Sequence, residues 1–336
     1  MINKTKIYKI YGFVIKASII ILAFWFIYRR LFVKENLDNT IRSFKDDFNQ
    51  PSFIKAILLV IGLMIVNWSL ETIKWKYLIR KIENVSFVKA FIAILSGVTV
   101  SIFTPNRVGE FAGRVFVLEK ADRWEGVLIT MIGSVSQLFI TIIAGSIAFI
   151  FFANEYIDIN NSPEYYFYGL VLIIFILIII LLLLFFNVFV LTNFINRLPG
   201  KLKKISHYGR IFSLYSNLEL SIVLGLSLAR FIVFITQFFL LLHLFKIAIP
   251  YNEAIILISM IYLVMAAIPT IALTELGVRG SVSLYFISLY FTAHNPSGQS
   301  DVGIIAASSM LWIINLVIPS IVGAIFVFRL KFFRKS

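Results

Sequence analysis

Phe-Thr-Pro-Asn-Arg-Val-Gly-Glu-Phe-Ala-Gly-Arg, residues 103–114, is the stretch on which the reading of this chain turns. Long apolar sequence flanks it on both sides, so Arg107, Glu110 and Arg114 fall where the neighbouring composition implies lipid depth. A bilayer-spanning segment tolerates a proline and three charges there only if protein or a wet cavity surrounds them. Far downstream, residues 268–280 read Ile-Pro-Thr-Ile-Ala-Leu-Thr-Glu-Leu-Gly-Val-Arg-Gly, and set Glu275 and Arg279 among apolar neighbours in the same way. The rest of the chain is organised around these two breaks.

Apolar residues make up 60% of the 336 and come in long blocks, which places the chain among all-α polytopic membrane proteins. That length has room for about six to eight crossings at about 20 residues each, with little left for a soluble domain. The net charge of +14 comes from Lys and Arg in short segments between apolar blocks, where they orient a membrane protein and meet anionic lipid. Nucleic acid is therefore discarded as a partner. With no Cys and three scattered His (His207, His243, His294), no metal site, disulfide or thiolate nucleophile is expected, and no cofactor motif is present.

Taken in order, the chain reads as a first span at 11–28, kept rather than cleaved, and then an amphipathic helix at 36–50 lying on the membrane surface. A span at 52–73 leads into a basic loop that includes Lys74, Lys76, Arg80 and Lys81. The apolar run 87–103 is about 17 residues, roughly 25 Å against a core of roughly 30 Å, so with 106–118 it reads as a re-entrant hairpin. Spans follow at 126–152, 169–194 and 218–244. A second hairpin has limbs at 253–268 and 278–291, and the last span is 302–328. Basic loops alternate with acidic or neutral ones, which places both termini in the cytoplasm of a cell (inner) membrane protein. Residues 52–152 and 218–328 then form two units of opposite orientation, about 169–194. Inverted repeats with broken helices near the midplane are a transporter layout.

At the first break, Thr104 can cap the second limb, and Arg107, Glu110 and Arg114 at i, i+3 and i+7 share one face. At the second, Thr274 can cap a limb in which Glu275 and Arg279 are an i, i+4 pair of the favoured order. Helix N-termini beside arginines suit a phosphate or another anionic head group, and Arg230, in the middle of a span, can add a third cation. The competing reading is that Arg107, Glu110, Glu275, Arg279 and Arg230 pair among themselves to hold broken helices together. Glu71 reads as structural, because it sits near a helix end. Gln137, Gln237 and Asn315 read as interhelical hydrogen bonds.

At these same residues the chain resembles the lysylphosphatidylglycerol synthase transmembrane-region family, also described as flippase-like. The resemblance is carried by Thr104 to Arg114 and by Leu276-Gly277-Val278-Arg279 after Pro269. The second motif departs from the family pattern: Ala272 to Glu275 stand where paired glycines are usual, and Gly280 stands where a glutamate is. The resemblance implies a membrane module associated with translocating or presenting modified phospholipids or lipid-linked intermediates. Members that transfer an aminoacyl group carry an additional soluble domain, and this chain ends at Ser336 without one, so lysyl transfer is not expected.

The favoured expectation is a lipid translocase whose two hairpins build a midplane site for an anionic head group. Its residues would be Thr104, Arg107, Glu110, Arg114, Thr274, Glu275, Arg279 and Arg230, and its partners membrane lipids. A second reading is a non-transporting partner that anchors or presents lipid to a separate transferase. A third, an intramembrane lipid-modifying enzyme, would use Glu110 with Glu275 for acid/base work.

Overall fold

The computed structural model describes residues 50–102, 104, 107–156, 164–187, 211, 214–294 and 300–327, and every regular element among them is helical. The span expected at 11–28, the surface helix at 36–50 apart from Gln50, the basic segment around 197–210 and both termini lie outside the described residues. In chain order the helices are α1 (Pro51–Ile79), α2 (Phe87–Ile102), α3 (Gly109–Val115), α4 (Arg123–Tyr156) and α5 (Glu164–Phe186). They continue with α6 (Asn217–Leu244), α7 (Tyr251–Ala267), α8 (Ala272–His294) and α9 (Asp301–Trp312). A π-helical turn (Ile313–Val317) then leads into α10 (Ile318–Val327).

Five of these segments are long and apolar enough to cross a membrane: α1, α4, α5, α6 and the continuous run through α9 and α10. The chain is thus a polytopic, all-helical membrane protein. The starts follow local chemistry. Pro51 opens α1, where its missing N–H is no loss. Ser216 and Glu219 close a reciprocal capping box on α6, and the Ser300 hydroxyl accepts from the Gly303 N–H at the start of α9.

The breaks are helical hairpins. At 16 and 7 residues, α2 and α3 measure about 24 and 10 Å, and neither reaches across a core of roughly 30 Å. The second limb is shorter than the expected 106–118, because Arg107 adopts a left-handed backbone (φ 58°) and the helix winds only from Gly109. In the second hairpin α7 has 17 residues, but α8 has 23, starting six residues before the expected limb at 278–291. The helix is already wound at Glu275, whose N–H bonds the Ile271 carbonyl. At about 34 Å, α8 is no short limb.

Packing relates the two halves reciprocally. The first limb of each hairpin lies against the last span of the other half, α2 on α10 and α7 on α4, while α1 and α6 pack on each other. Each exchanged contact closes on a glycine. A Cβ on Gly323 would sit 2.2 Å from the Leu95 carbonyl of α2, and one on Gly145 would sit 2.5 Å from the Leu263 Cβ of α7. Such close approach through small residues is how membrane helices gain dispersion contact where lipid offers no hydrophobic driving force. The limbs of the first hairpin meet in the same way, Gly113 against the Gly97 backbone. This exchange carries both hairpin apices to the faces of α1 and α6.

Candidate functional site

On α1, Asn67, Trp68, Glu71, Lys74, Trp75 and Leu78 fall at i, i+1, i+4, i+7, i+8 and i+11, one face of the helix, and all are buried. Lys74 belongs to this face and not to a basic loop, because α1 runs on to Ile79. Glu71 is its hub. One carboxylate oxygen accepts from Arg114 at 2.8 Å; the other takes Arg230 at 2.7 Å and Lys74 at 2.8 Å. Glu71, Lys74 and Arg114 are 2%, 1% and 1% exposed, so none is neutralised by bulk water. Asn67 accepts from Arg230 Nε at 2.7 Å and donates to Asn315 of the π-helical turn at 3.2 Å. Lys74 also donates to Ser227, which bonds Ser136. A charge this deep is held only by multiple partners.

A second network joins the hairpins to each other. Glu275 of α8 accepts from Arg107 and from Arg279, each at 2.6 Å, so one carboxylate ties the apex of the first hairpin to the second. Arg107 is the most accessible of the buried-cluster arginines, with its side chain 39% exposed. Its left-handed backbone is uncommon for a residue with a Cβ, and such strain persists only where the surroundings over-determine it.

Arg107, Arg230 and Arg279 converge on one cavity of about 90 Å³. Its wall is completed by Trp68, Trp312, Phe234 and Tyr262, with Asn315 and two leucines; both carboxylates lie behind the arginines and neither lines it. Arg230 lies 5.0 Å from the Trp68 ring and 5.4 Å from that of Phe234, and Arg279 lies 5.7 Å from that of Tyr262. Trp68 Nε1 and Trp312 Nε1, two buried indole donors of residues that line this cavity, have no hydrogen-bond partner among the described residues. Buried donors are ordinarily satisfied, so an acceptor fits here.

The expected site residues divide accordingly. Arg107, Arg230 and Arg279 come together at the cavity, with Glu275 behind two of them. Arg114 is drawn off to Glu71 and Glu110, which corrects the expectation of one face with Arg107: the helix begins after Arg107, so the i, i+7 spacing does not apply. Glu110 serves Arg114 and Glu275 serves Arg107 and Arg279, so the two carboxylates share no partner. The threonines serve backbone. Thr104 accepts from the Gly109 N–H at 2.8 Å and donates to the Ser101 carbonyl. Thr274 lies inside the first turn of α8 instead of before it, and bonds both polar groups of Ile271.

A family model for the lysylphosphatidylglycerol synthase TM region matches residues 13–323. The chain belongs to that family. Neither the curated proteins nor the solved structures compared returned a match. Membership in the lysylphosphatidylglycerol synthase TM-region family, together with the spanning helices, makes this a membrane protein related to lipid handling.

Sequence reasoning missed the hub role of Glu71 and the parts of Trp68, Lys74, Tyr262 and Trp312. The signal for the first of these was present: Asn67, Glu71 and Lys74 repeat at i, i+4 and i+7 on a helix that spans to Ile79. Gln137, Gln237 and Asn315 do make interhelical bonds, to Ser227, Val60 and Asn67.

Proposed function

We propose that this protein binds the phosphate of an anionic lipid or lipid-linked head group in the arginine cavity, and passes that lipid between leaflets of the cell membrane. The observation that carries the reading is the convergence of Arg107, Arg230 and Arg279, from the first hairpin, a span and the second hairpin, on one cavity that no carboxylate lines. Charge balance supports it. Lys74, Arg107, Arg114, Arg230 and Arg279 are five cations against the three carboxylates Glu71, Glu110 and Glu275, an excess of two positive charges. An excess at this depth calls for an anion.

Translocation adds two elements to binding. The limbs α2 and α3 are too short to cross and are read as re-entrant, and the reciprocal packing of the halves is read as an inverted repeat. Glu275 holds Arg107 and Arg279 when no lipid is present, and an arriving phosphate takes over those donors. That exchange loosens the tie between the two hairpins.

The test is a scramblase assay in liposomes carrying head-group-labelled phosphatidylglycerol, quenched from outside with dithionite. Quenching beyond the outer-leaflet half, lost in Arg107→Ala, is the expected result. Quenching that stops at the outer leaflet for wild type, together with lipid-dependent thermal stabilisation that Arg107→Ala does not change, refutes the reading.

The family description, a TM region of a synthase, favours one further possibility: the module presents lipid to a separate transferase. Co-purification with such an enzyme, and binding without leaflet exchange, distinguishes it.

A further inference from the structure

We infer that the C-terminal end of α1 carries a lipid site of its own, a groove in the head-group layer that takes an anionic diacyl phospholipid of the surrounding leaflet. It shares no residue with the arginine cavity, and it stands whether or not that cavity binds phosphate.

The groove has a volume of about 760 Å³. One side is the end of α1, with Ile73, Lys76, Tyr77 and Arg80; the other includes Lys81, in the turn that follows, and Phe87, the first residue of α2. With 29 residues α1 measures about 44 Å, the thickness of a bilayer with its head-group layers and not of the hydrocarbon core alone. Its last turns therefore stand among head groups, and the basic residues there place this end at the cytoplasmic leaflet.

The order of the lining residues is that of a phospholipid. Ile73, Lys76, Tyr77 and Arg80 fall at i, i+3, i+4 and i+7, one stripe of the helix about 10 Å long. Ile73 stands at the hydrocarbon end, Tyr77 between, and Arg80 outermost, matching tail, ester region and phosphate. Ile73 and Phe87 are 44% and 41% exposed, which gives an acyl chain a surface to cover. A water-soluble anion would leave both of them bare.

Charge selects an anion. Three cations line the groove and no carboxylate does. Glu219, in the first turn of α6, takes Arg80 at 3.3 Å and Lys81 at 2.8 Å, so one acid serves two of the cations. Lys76 makes no ion pair among the described residues. Glu83, the acid of the same turn, is committed elsewhere, to the backbone N–H groups of Glu119, Lys120 and Ala121 and to Lys89. The excess of positive charge thus faces the leaflet, where its counterion is a lipid phosphate. Bound there, the lipid bridges α1 to the start of α2, and braces the first hairpin against the helix that carries Glu71.

The experiment uses the purified full chain in lipid-free detergent near neutral pH, with three ligands: dioctanoyl phosphatidylglycerol, dioctanoyl phosphatidylcholine, and the head group alone, glycerophosphoglycerol. Affinity is read by titration and fold by thermal unfolding. In Arg107→Ala, which disables the arginine cavity, phosphatidylglycerol is expected still to bind saturably and raise the melting temperature, and phosphatidylcholine is not. In that background Lys76→Gln should weaken the binding about fivefold, and Lys76→Gln with Arg80→Gln about thirtyfold, the worth of one and of two cations at a membrane surface. Neither change should move the lipid-free melting temperature, because Lys76 has no partner to lose and Glu219 keeps Lys81. Lys76→Arg with Arg80→Lys keeps both charges and should keep the affinity.

Phosphatidylglycerol binding that Arg107→Ala alone abolishes overturns the inference and leaves the arginine cavity as the anion site. Binding that persists in Arg107→Ala but ignores Lys76→Gln and the double variant, or that phosphatidylcholine matches, overturns it as well. Glycerophosphoglycerol bound as tightly as phosphatidylglycerol overturns the lipid part and makes the ligand a soluble anion. Binding that the Lys76 and Arg80 changes remove from the otherwise wild-type chain, and that Arg107→Ala leaves untouched, upholds the groove and counts against the cavity reading.

Discussion

Replacing Glu71 by Gln leaves the shape of the α1 face almost unchanged and removes the one carboxylate shared by Lys74, Arg114 and Arg230. Arg114 keeps Glu110, so two of the three cations lose their only acidic partner. Breaking a buried ion pair from one side costs about 3–5 kcal/mol, because the remaining charge is stranded without water. At roughly 2 °C per kcal/mol for a chain of this size, that is a loss of about 6–10 °C in melting temperature. The assay is thermal unfolding of the purified protein in detergent, wild type against Glu71→Gln and against Glu71→Gln with Lys74→Met. The double variant removes one stranded cation and should recover part of the loss. A fall of less than about 2 °C, or a double variant less stable than the single one, would refute the claim that Glu71 is the hub that makes this buried cluster of cations tolerable.

Other outcomes follow from other parts of the molecule. Arg107→Gly and Arg107→Ala remove the same side chain, but only glycine adopts the left-handed backbone freely, so the Gly variant should be more stable by about 1 kcal/mol by melting temperature while both lose lipid binding. A Cβ at Gly323 meets the Leu95 carbonyl at 2.2 Å and Thr99 Oγ1 at 2.4 Å, whereas one at Gly62 meets nothing within 4 Å. Gly323→Ala should therefore cost about 1–3 kcal/mol, and Gly62→Ala should be neutral or stabilising, as a pair of unfolding curves would report. Glu83, in the turn between α1 and α2, accepts the backbone N–H groups of Glu119, Lys120 and Ala121 and so pins the segment that follows α3. Its partial burial opposes ionisation, but those three donors and Lys89 outweigh it and hold the carboxyl below its ordinary value of 4.5. A depressed carboxylate stabilises the fold fully above its unfolded pKa and loses that contribution as the pH falls through the folded one. The stability gap between wild type and Glu83→Gln should thus be constant near neutrality and shrink below about pH 4.5; a gap that widens on acidification would contradict it.

Much of the fold was legible beforehand because the quantities that specify it are one-dimensional. Block length and hydropathy place the start of α1 and both ends of α4, α6 and the α9–α10 span within a few residues, and Pro105 and Pro269 mark the breaks. Limits came where helix ends depend on three-dimensional partners. α1 continues past Ile73 because Lys74, which reads as the start of a loop, is neutralised by Glu71 inside the bundle. α8 starts at Ala272 because Thr274 satisfies the backbone of Ile271 from within the first turn. Arg114 was placed with Arg107 by spacing alone, and the left-handed turn at Arg107 separates them.

By itself, then, the amino-acid sequence determined the membrane class, the family motif, the two charged breaks and the arginines worth watching, since hydropathy, proline and charge act on the chain locally. Only the tertiary structure decided which cations face a cavity and which are neutralised. Arg230 and Glu71 lie 159 positions apart and Arg107 and Glu275 lie 168 apart, and both contacts depend on the rotation and crossing of helices distant in the chain. The orphan donors of Trp68 and Trp312 are visible only there as well, because a buried N–H is unsatisfied or paired according to what neighbouring helices bring to it.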